Sequence, residues 1–166
     1  MTNNDDETGR LAALKGYGVL DTPNEPEFDA IVREAATMLG APVALISLVD
    51  EHRQWFKAKV GLDASETPLS MSFCTHAIRG KDVFVVEDAT QDERFAGNPL
   101  VTGNPGIRFY AGMPLRSAKG YRVGTLCVID RKPRKEPTAA EKARLAELAE
   151  RTVASFERRG KSAAAA

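Results

Sequence analysis

VALISLVD, residues 43–50, is apolar at every position but Ser47 and Asp50 and is rich in β-branched side chains. Such a run is a strand covered on both faces, and so the centre of a layered domain. YRVGTLCVID, residues 121–130, ends in the same way. Between them lie QWFKAKVGL, read as a half-exposed strand in a hairpin with the first, a short strand in KDVFVVEDA, and IRFYAGMPL, which alternates from Ile107 to Leu115. Tight turns join several of these strands. That favours an antiparallel sheet over the alternating βαβ pattern of nucleotide-binding folds.

Helices are expected at both ends. In DTPNEPEFDAIVREAATMLGAP, Asn24 is the expected cap and Pro26 suits the first turn. Phe28, Ile31, Val32, Ala35, Met38 and Leu39 form one stripe, and Gly40 and Pro42 end it. A shorter helix carrying Leu11 and Leu14 precedes it. The closing helix opens with a capping box, Thr138 to Glu141, and carries Leu145, Leu148, Thr152 and Phe156 at near-heptad spacing. That stripe docks on its own sheet or forms a dimer seam with Leu11 and Leu14, and one helix has two usable edges for both. Residues 1–9 and 158–166 are expected to be disordered. SMSFCTHAIRG is expected to hold one short helix. QDERFAGNPLVTGNPG reads as consecutive turns at Asn98-Pro99, Gly103, Asn104-Pro105 and Gly106, anchored by Phe95 and Leu100.

Bulk properties limit the function. The 23 basic and 23 acidic residues cancel, which leaves no basic surplus for nucleic acid or an anionic membrane. No apolar run approaches the ~18 residues of a membrane span, and the polar start MTNNDDETGR is no secretory signal. Two cysteines make no disulfide framework, so a reducing cytoplasm is the expected compartment.

LDTPNEPEFDAI, VALISLVDEHRQWFKAKVGL, SMSFCTHAI, VVEDATQDERFAGNPLVTGNPGIRFYAGMPL and GTLCVID resemble, in order, the segments of bacterial GAF domains found beside histidine kinases and diguanylate cyclases. The resemblance covers residues 10–157. It implies an α/β fold of the α+β sandwich kind, with a central antiparallel sheet of five to six strands. The terminal helices would lie on one face, often mediating dimers, and loops and short helices would cover a small-molecule pocket on the other. Family membership does not fix the ligand, and no cofactor is named by it. No kinase or cyclase segment follows residue 157, so the chain is read as a free-standing sensor or an excised piece.

The expected ligand-binding residues are Phe73, Cys74, His76, Phe95, Arg108 and Tyr110. Cys74 and His76 are two apart, so a helix turns them about 200° from each other and a catalytic pair is disfavoured. Bilin attachment is disfavoured because Thr75 separates cysteine from histidine, and Cys127 reads as an inert core residue. No metal site is expected, since Cys74, His76 and Cys127 would converge only by accident of folding. Arg108 either faces inward to select an anion or pairs with Asp88 or Asp92. The chain is therefore read as a sensory domain and not an enzyme. Its expected partners are a small molecule, a second copy through the terminal helices, and a histidine kinase or cyclic-dinucleotide signalling protein. The alternatives are a dimerising module with a closed pocket and a thiol reductase using Cys74.

Overall fold

The computed structural model describes residues 3–103 and 106–165. The elements run α1 (Asn3–Gly16), α2 (Pro26–Leu39), β1 (Val43–Val49), β2 (Arg53–Val60), β3 (Glu66–Pro68), α3 (Cys74–Ala77), β4 (Phe84–Val86), α4 (Pro99–Thr102), β5 (Phe109–Arg116), β6 (Arg122–Asp130) and α5 (Ala139–Ala165). The six strands form one antiparallel sheet in the order β3-β2-β1-β6-β5-β4. The expected sheet is present, with the two most apolar strands, β1 and β6, side by side at its centre.

Every residue of β1 is buried, as its composition requires. The alternation of the strand divides these residues between two cores. Ala44, Ile46 and Leu48 face α1, α2 and α5. Val43, Leu45 and Val49 face the loops and short helices between β2 and β5.

The helical layer follows its sequence signals. Pro26 occupies the first turn of α2, and Gly40 ends it in the left-handed conformation at φ 61, its N–H reaching Ala36 and Thr37 carbonyls. The cap is Glu25 rather than Asn24, and it makes no side-chain cap bond. The capping box of α5 is reciprocal: Thr138 N–H donates to Glu141 Oε1 at 2.9 Å, and Glu141 N–H donates to Thr138 Oγ1 at 3.1 Å. Leu145, Leu148, Thr152 and Phe156 are all 0% exposed, so the stripe rests on its own sheet. Leu14 is equally buried. These side chains are committed within the fold, and a seam between copies would have to use other edges of α1 and α5.

Helix α1 begins at Asn3 and α5 continues to Ala165, inside the segments 1–9 and 158–166 for which the sequence alone suggests disorder. Alanine, the strongest helix former, extends α5, and an i,i+3 ion pair between Glu7 and Arg10 at 2.7 Å supports α1. Met1, Thr2 and Ala166 lie outside the described residues, as does the Asn104-Pro105 turn. The strand β2 is not half-exposed. A bulge pairs Ile46 with Ala58 and Ser47 with Phe56, so Lys57 is the extra residue. Its side chain turns inward to the helical layer. There Nζ meets Glu25 at 2.5 Å, Thr22 Oγ1 at 2.7 Å and the Pro23 carbonyl at 2.6 Å. Finally, β3 was not expected. It is three residues long and contains a proline, and it forms an edge strand on β2.

The β1–β6 contact depends on Gly124. A Cβ there would stand 2.0 Å from the Ser47 carbonyl oxygen, a backbone atom that cannot rotate away. Gly124→Ala is expected to cost about 1–3 kcal/mol, read as a lower urea midpoint with an unchanged slope. An unchanged midpoint would mean that the central strands do not approach this closely.

Candidate functional site

The second core is not filled. Between the sheet and its cover lies a cavity of about 230 Å³. This exceeds the ~150 Å³ that holds a benzene molecule in an engineered cavity. Val43 and Leu45 of β1, Gln54 and Phe56 of β2, and Cys127 and Ile129 of β6 form its floor. Phe73, Cys74, Leu100, Ile107 and Tyr110 form the walls. The exposed loop 61–64, with Arg131, borders it on the solvent side.

Mostly apolar walls with a few fixed polar atoms are the usual make-up of a small-molecule site. One polar edge is a chain of side chains: Ser72 Oγ donates to Gln54 Oε1 at 2.7 Å, and Gln54 Nε2 donates to Thr67 Oγ1 at 2.8 Å. This chain ties the segment before α3 to β2 and β3. The other edge is a buried cluster. The Cys74 sulfur lies 3.1 Å from Tyr110 Oη and 3.0 Å from Thr125 Oγ1. Gly112 makes room for it, since a Cβ there would stand 2.4 Å from Tyr110 Oη.

Burial alone would push the Cys74 thiol up. Contacts with Cys127, Thr125, Tyr110 and the otherwise unpartnered Ser47 hydroxyl outweigh it and lower its pKa to about 7. Cys127 moves well above its ordinary value, first because it is held against the Cys74 sulfur and then by burial. The first thiol ionisation, followed by thiolate ultraviolet absorbance, is expected near pH 7. In Tyr110→Phe, with one donor lost, it should move upward. A first ionisation at the ordinary ~8.5 would contradict this electrostatic picture.

The six expected ligand-binding residues divide. Phe73, Cys74 and Tyr110 line the cavity. Phe95 lies one layer behind, stacked on Phe73 at 4.1 Å between ring centroids. His76 lies further back, edge-on to Phe95 at 4.9 Å. Its pKa is lowered by burial and by the nearby charges of Arg79 and Arg94. Arg108 neither lines the cavity nor pairs with Asp88 or Asp92. It donates to the carbonyls of Val101 at 2.9 Å and Ile107 at 3.1 Å, and so pins the cover. Asp88 caps Thr90, and Asp92 holds Arg94 at 2.6 Å. Strand pairing of β5 begins only at Phe109, so alternation counted from Ile107 puts the wrong neighbour inward: Ile107 faces the cavity and Arg108 does not.

Val43, Leu45, Gln54, Phe56 and Cys127 escaped sequence reasoning. An all-apolar strand does not reveal which of its faces meets a void. The β2 bulge reverses the alternation that would have flagged Phe56. Among the described residues, no group of three or more His, Cys, Asp or Glu side chains could hold a metal ion, and no helix is long and apolar enough to cross a membrane.

An antiparallel sheet with helices on one face and a covered cavity on the other is a GAF architecture. The GAF domain family model matches residues 24–155, and the chain belongs to that family. Over 130 residues it is 50% identical to a cyclic di-GMP phosphodiesterase of Pseudomonas aeruginosa. The match covers 78% of this chain and 22% of that protein, so the chain spans about a fifth of its relative's length. The GAF domain of a phosphoenolpyruvate-protein phosphotransferase from Coxiella burnetii superposes with a TM-score of 0.67 at 16% identity, over 98% of this chain and 99% of that one. The free methionine-R-sulfoxide reductase of Neisseria meningitidis, solved with its substrate, superposes with a TM-score of 0.65 at 17% identity, over 98% and 96%. These likenesses correct the expectation that the chain is not an enzyme. A relative at 50% identity is named a phosphodiesterase, and a reductase shares the fold. That expectation rested on a missing catalytic pair, and the fold carries activity in at least one protein all the same.

Proposed function

We propose that the chain is the small-molecule-binding regulatory domain of a signalling protein, and that cavity occupancy controls a cyclic-dinucleotide activity of the kind in its relative's name. The single observation that carries this reading is the void of about 230 Å³ between sheet and cover, apolar but edged by Gln54, Thr67, Cys74 and Tyr110. Such a lining suits a compact ligand, one planar or branched apolar body with a hydrogen-bonding rim. The 50% identity to part of a cyclic di-GMP phosphodiesterase supports the choice of output.

The route of control follows from the strand alternation. Leu45 and Cys127 touch the cavity, while their neighbours Ala44, Ile46, Leu126 and Val128 touch the helical layer. A ligand that fits one arrangement of β1 and β6 better than another biases the seating of α1, α2 and α5. A difference of about 1–3 kcal/mol is enough to signal. In this proposal Phe73, Cys74 and Tyr110 touch the ligand, and His76, Phe95 and Arg108 hold the cover in place. A second copy docks along outward edges of the terminal helices.

Native mass spectrometry of freshly purified protein tests both parts. A retained small molecule released on denaturation, on a dimeric mass, is the expected result. Ligand-free monomer at every concentration, after growth in varied media, would end the proposal.

A further inference from the structure

The cavity wall joins two thiols from different layers. Cys74 opens α3 in the cover, and Cys127 sits at the centre of β6. Both are free, both are buried, and both line the cavity. The Cys74 sulfur lies against Thr125, which precedes Cys127 by two residues and so shares its face of the strand. Both sulfurs therefore lie on the same side of the sheet, at the same end of the cavity. Gly112, the β5 partner of Cys127, adds no side chain over them.

We propose that Cys74 and Cys127 are an oxidative modification site, converted to a disulfide by hydrogen peroxide that enters the cavity. The loop 61–64 and Arg131 border an opening to solvent, and a peroxide little larger than water passes where a protein oxidant does not. The Cys74 thiolate attacks one peroxide oxygen. An S–O bond forms, the O–O bond breaks, and the departing hydroxide recovers the proton that Cys74 gave up, leaving as water. Cys74 is then a sulfenic acid, oxidised by two electrons. The Cys127 sulfur attacks it; the S–S bond forms, the S–O bond breaks, and the hydroxyl leaves as a second water with the Cys127 proton. One peroxide and two thiols give one disulfide and two waters. The lowered pKa of Cys74 suits the attacking role, and the pKa of Cys127 is raised first by its interaction with Cys74, a cause that changes once Cys74 is a neutral sulfenic acid. The bond would staple α3 to β6 and fix the cover on the sheet. The step needs the cavity open to the peroxide, and it does not depend on the ligand proposed above.

The test is intact-mass analysis of wild-type protein treated with hydrogen peroxide, then unfolded in iodoacetamide. The expected product is a monomer lighter by about 2 Da, two hydrogens lost, that takes up no alkyl group. Peptide mapping should show Cys74 linked to Cys127, and dithiothreitol should restore both alkylatable thiols. In Cys127→Ser, checked for folding by its urea midpoint, Cys74 should stop as a dimedone-reactive sulfenic acid and then over-oxidise. Should that variant not fold, the wild-type mass and linkage decide alone. Two thiols surviving peroxide, disulfides only between chains, or over-oxidation at the same rate in wild type and Cys127→Ser would each overturn the proposal.

Discussion

Replacing Phe156 by alanine should lower the stability of the domain by about 3–5 kcal/mol, the range of large-to-small changes in a closed core. Its ring is 0% exposed and packs against Tyr17 at 5.5 Å and Phe28 at 5.1 Å between centroids. Three elements therefore meet at this one side chain: the turn after α1, the first turn of α2, and α5. The site has little means of collapsing, because Tyr17 is held by a hydrogen bond to Glu157 at 2.5 Å. Urea unfolding measures the loss. A change under about 1 kcal/mol, the size of an ordinary surface substitution, would mean that α5 does not rest on the sheet as described.

Val43→Phe should act in the opposite sense, with little effect on stability and a large one on binding. Val43 is 1% exposed and lines the cavity from β1. A phenyl ring at this position grows into empty space, so the cost should stay below about 1.5 kcal/mol. A ligand competing for the same space should lose about tenfold or more in occupancy, since each 1.4 kcal/mol of lost fit is a factor of ten. The retained fraction in native mass spectra reads this directly. Full retention by a stably folded Val43→Phe would place the ligand somewhere other than this cavity.

The sequence carries the fold more fully than the site, for reasons visible at particular residues. VALISLVD and GTLCVID are apolar at most positions on both faces, a pattern that only strands covered on both sides sustain. The Thr138–Glu141 box and Gly40 mark helix ends by local chemistry alone. None of these signals needs a tertiary partner to be read. The site differs because its residues are defined by which side of a strand they take and by how the cover lies. One bulge at Lys57 undid the face assignment of β2, and a late start to β5 pairing did the same for Arg108. Phe73 and Tyr110 were found because aromatic residues near a covered face fill space wherever they land. Cys127 was read as inert because an apolar strand gives no hint of a second thiol across the layer gap. Residues 74 and 127 come to one cavity only through the fold, and no local pattern reports it.

The central claim is that the space between Leu45, Phe56, Phe73 and Tyr110 is a ligand site. A crystal structure of protein purified without exchange into competing additives tests it most directly. The account predicts continuous non-protein density in that space, in contact with the Phe73 and Tyr110 side chains. A cavity closed by Phe73 and Leu100 with no room for a molecule, or a bound ligand seated against α2 and α5 instead, would contradict it.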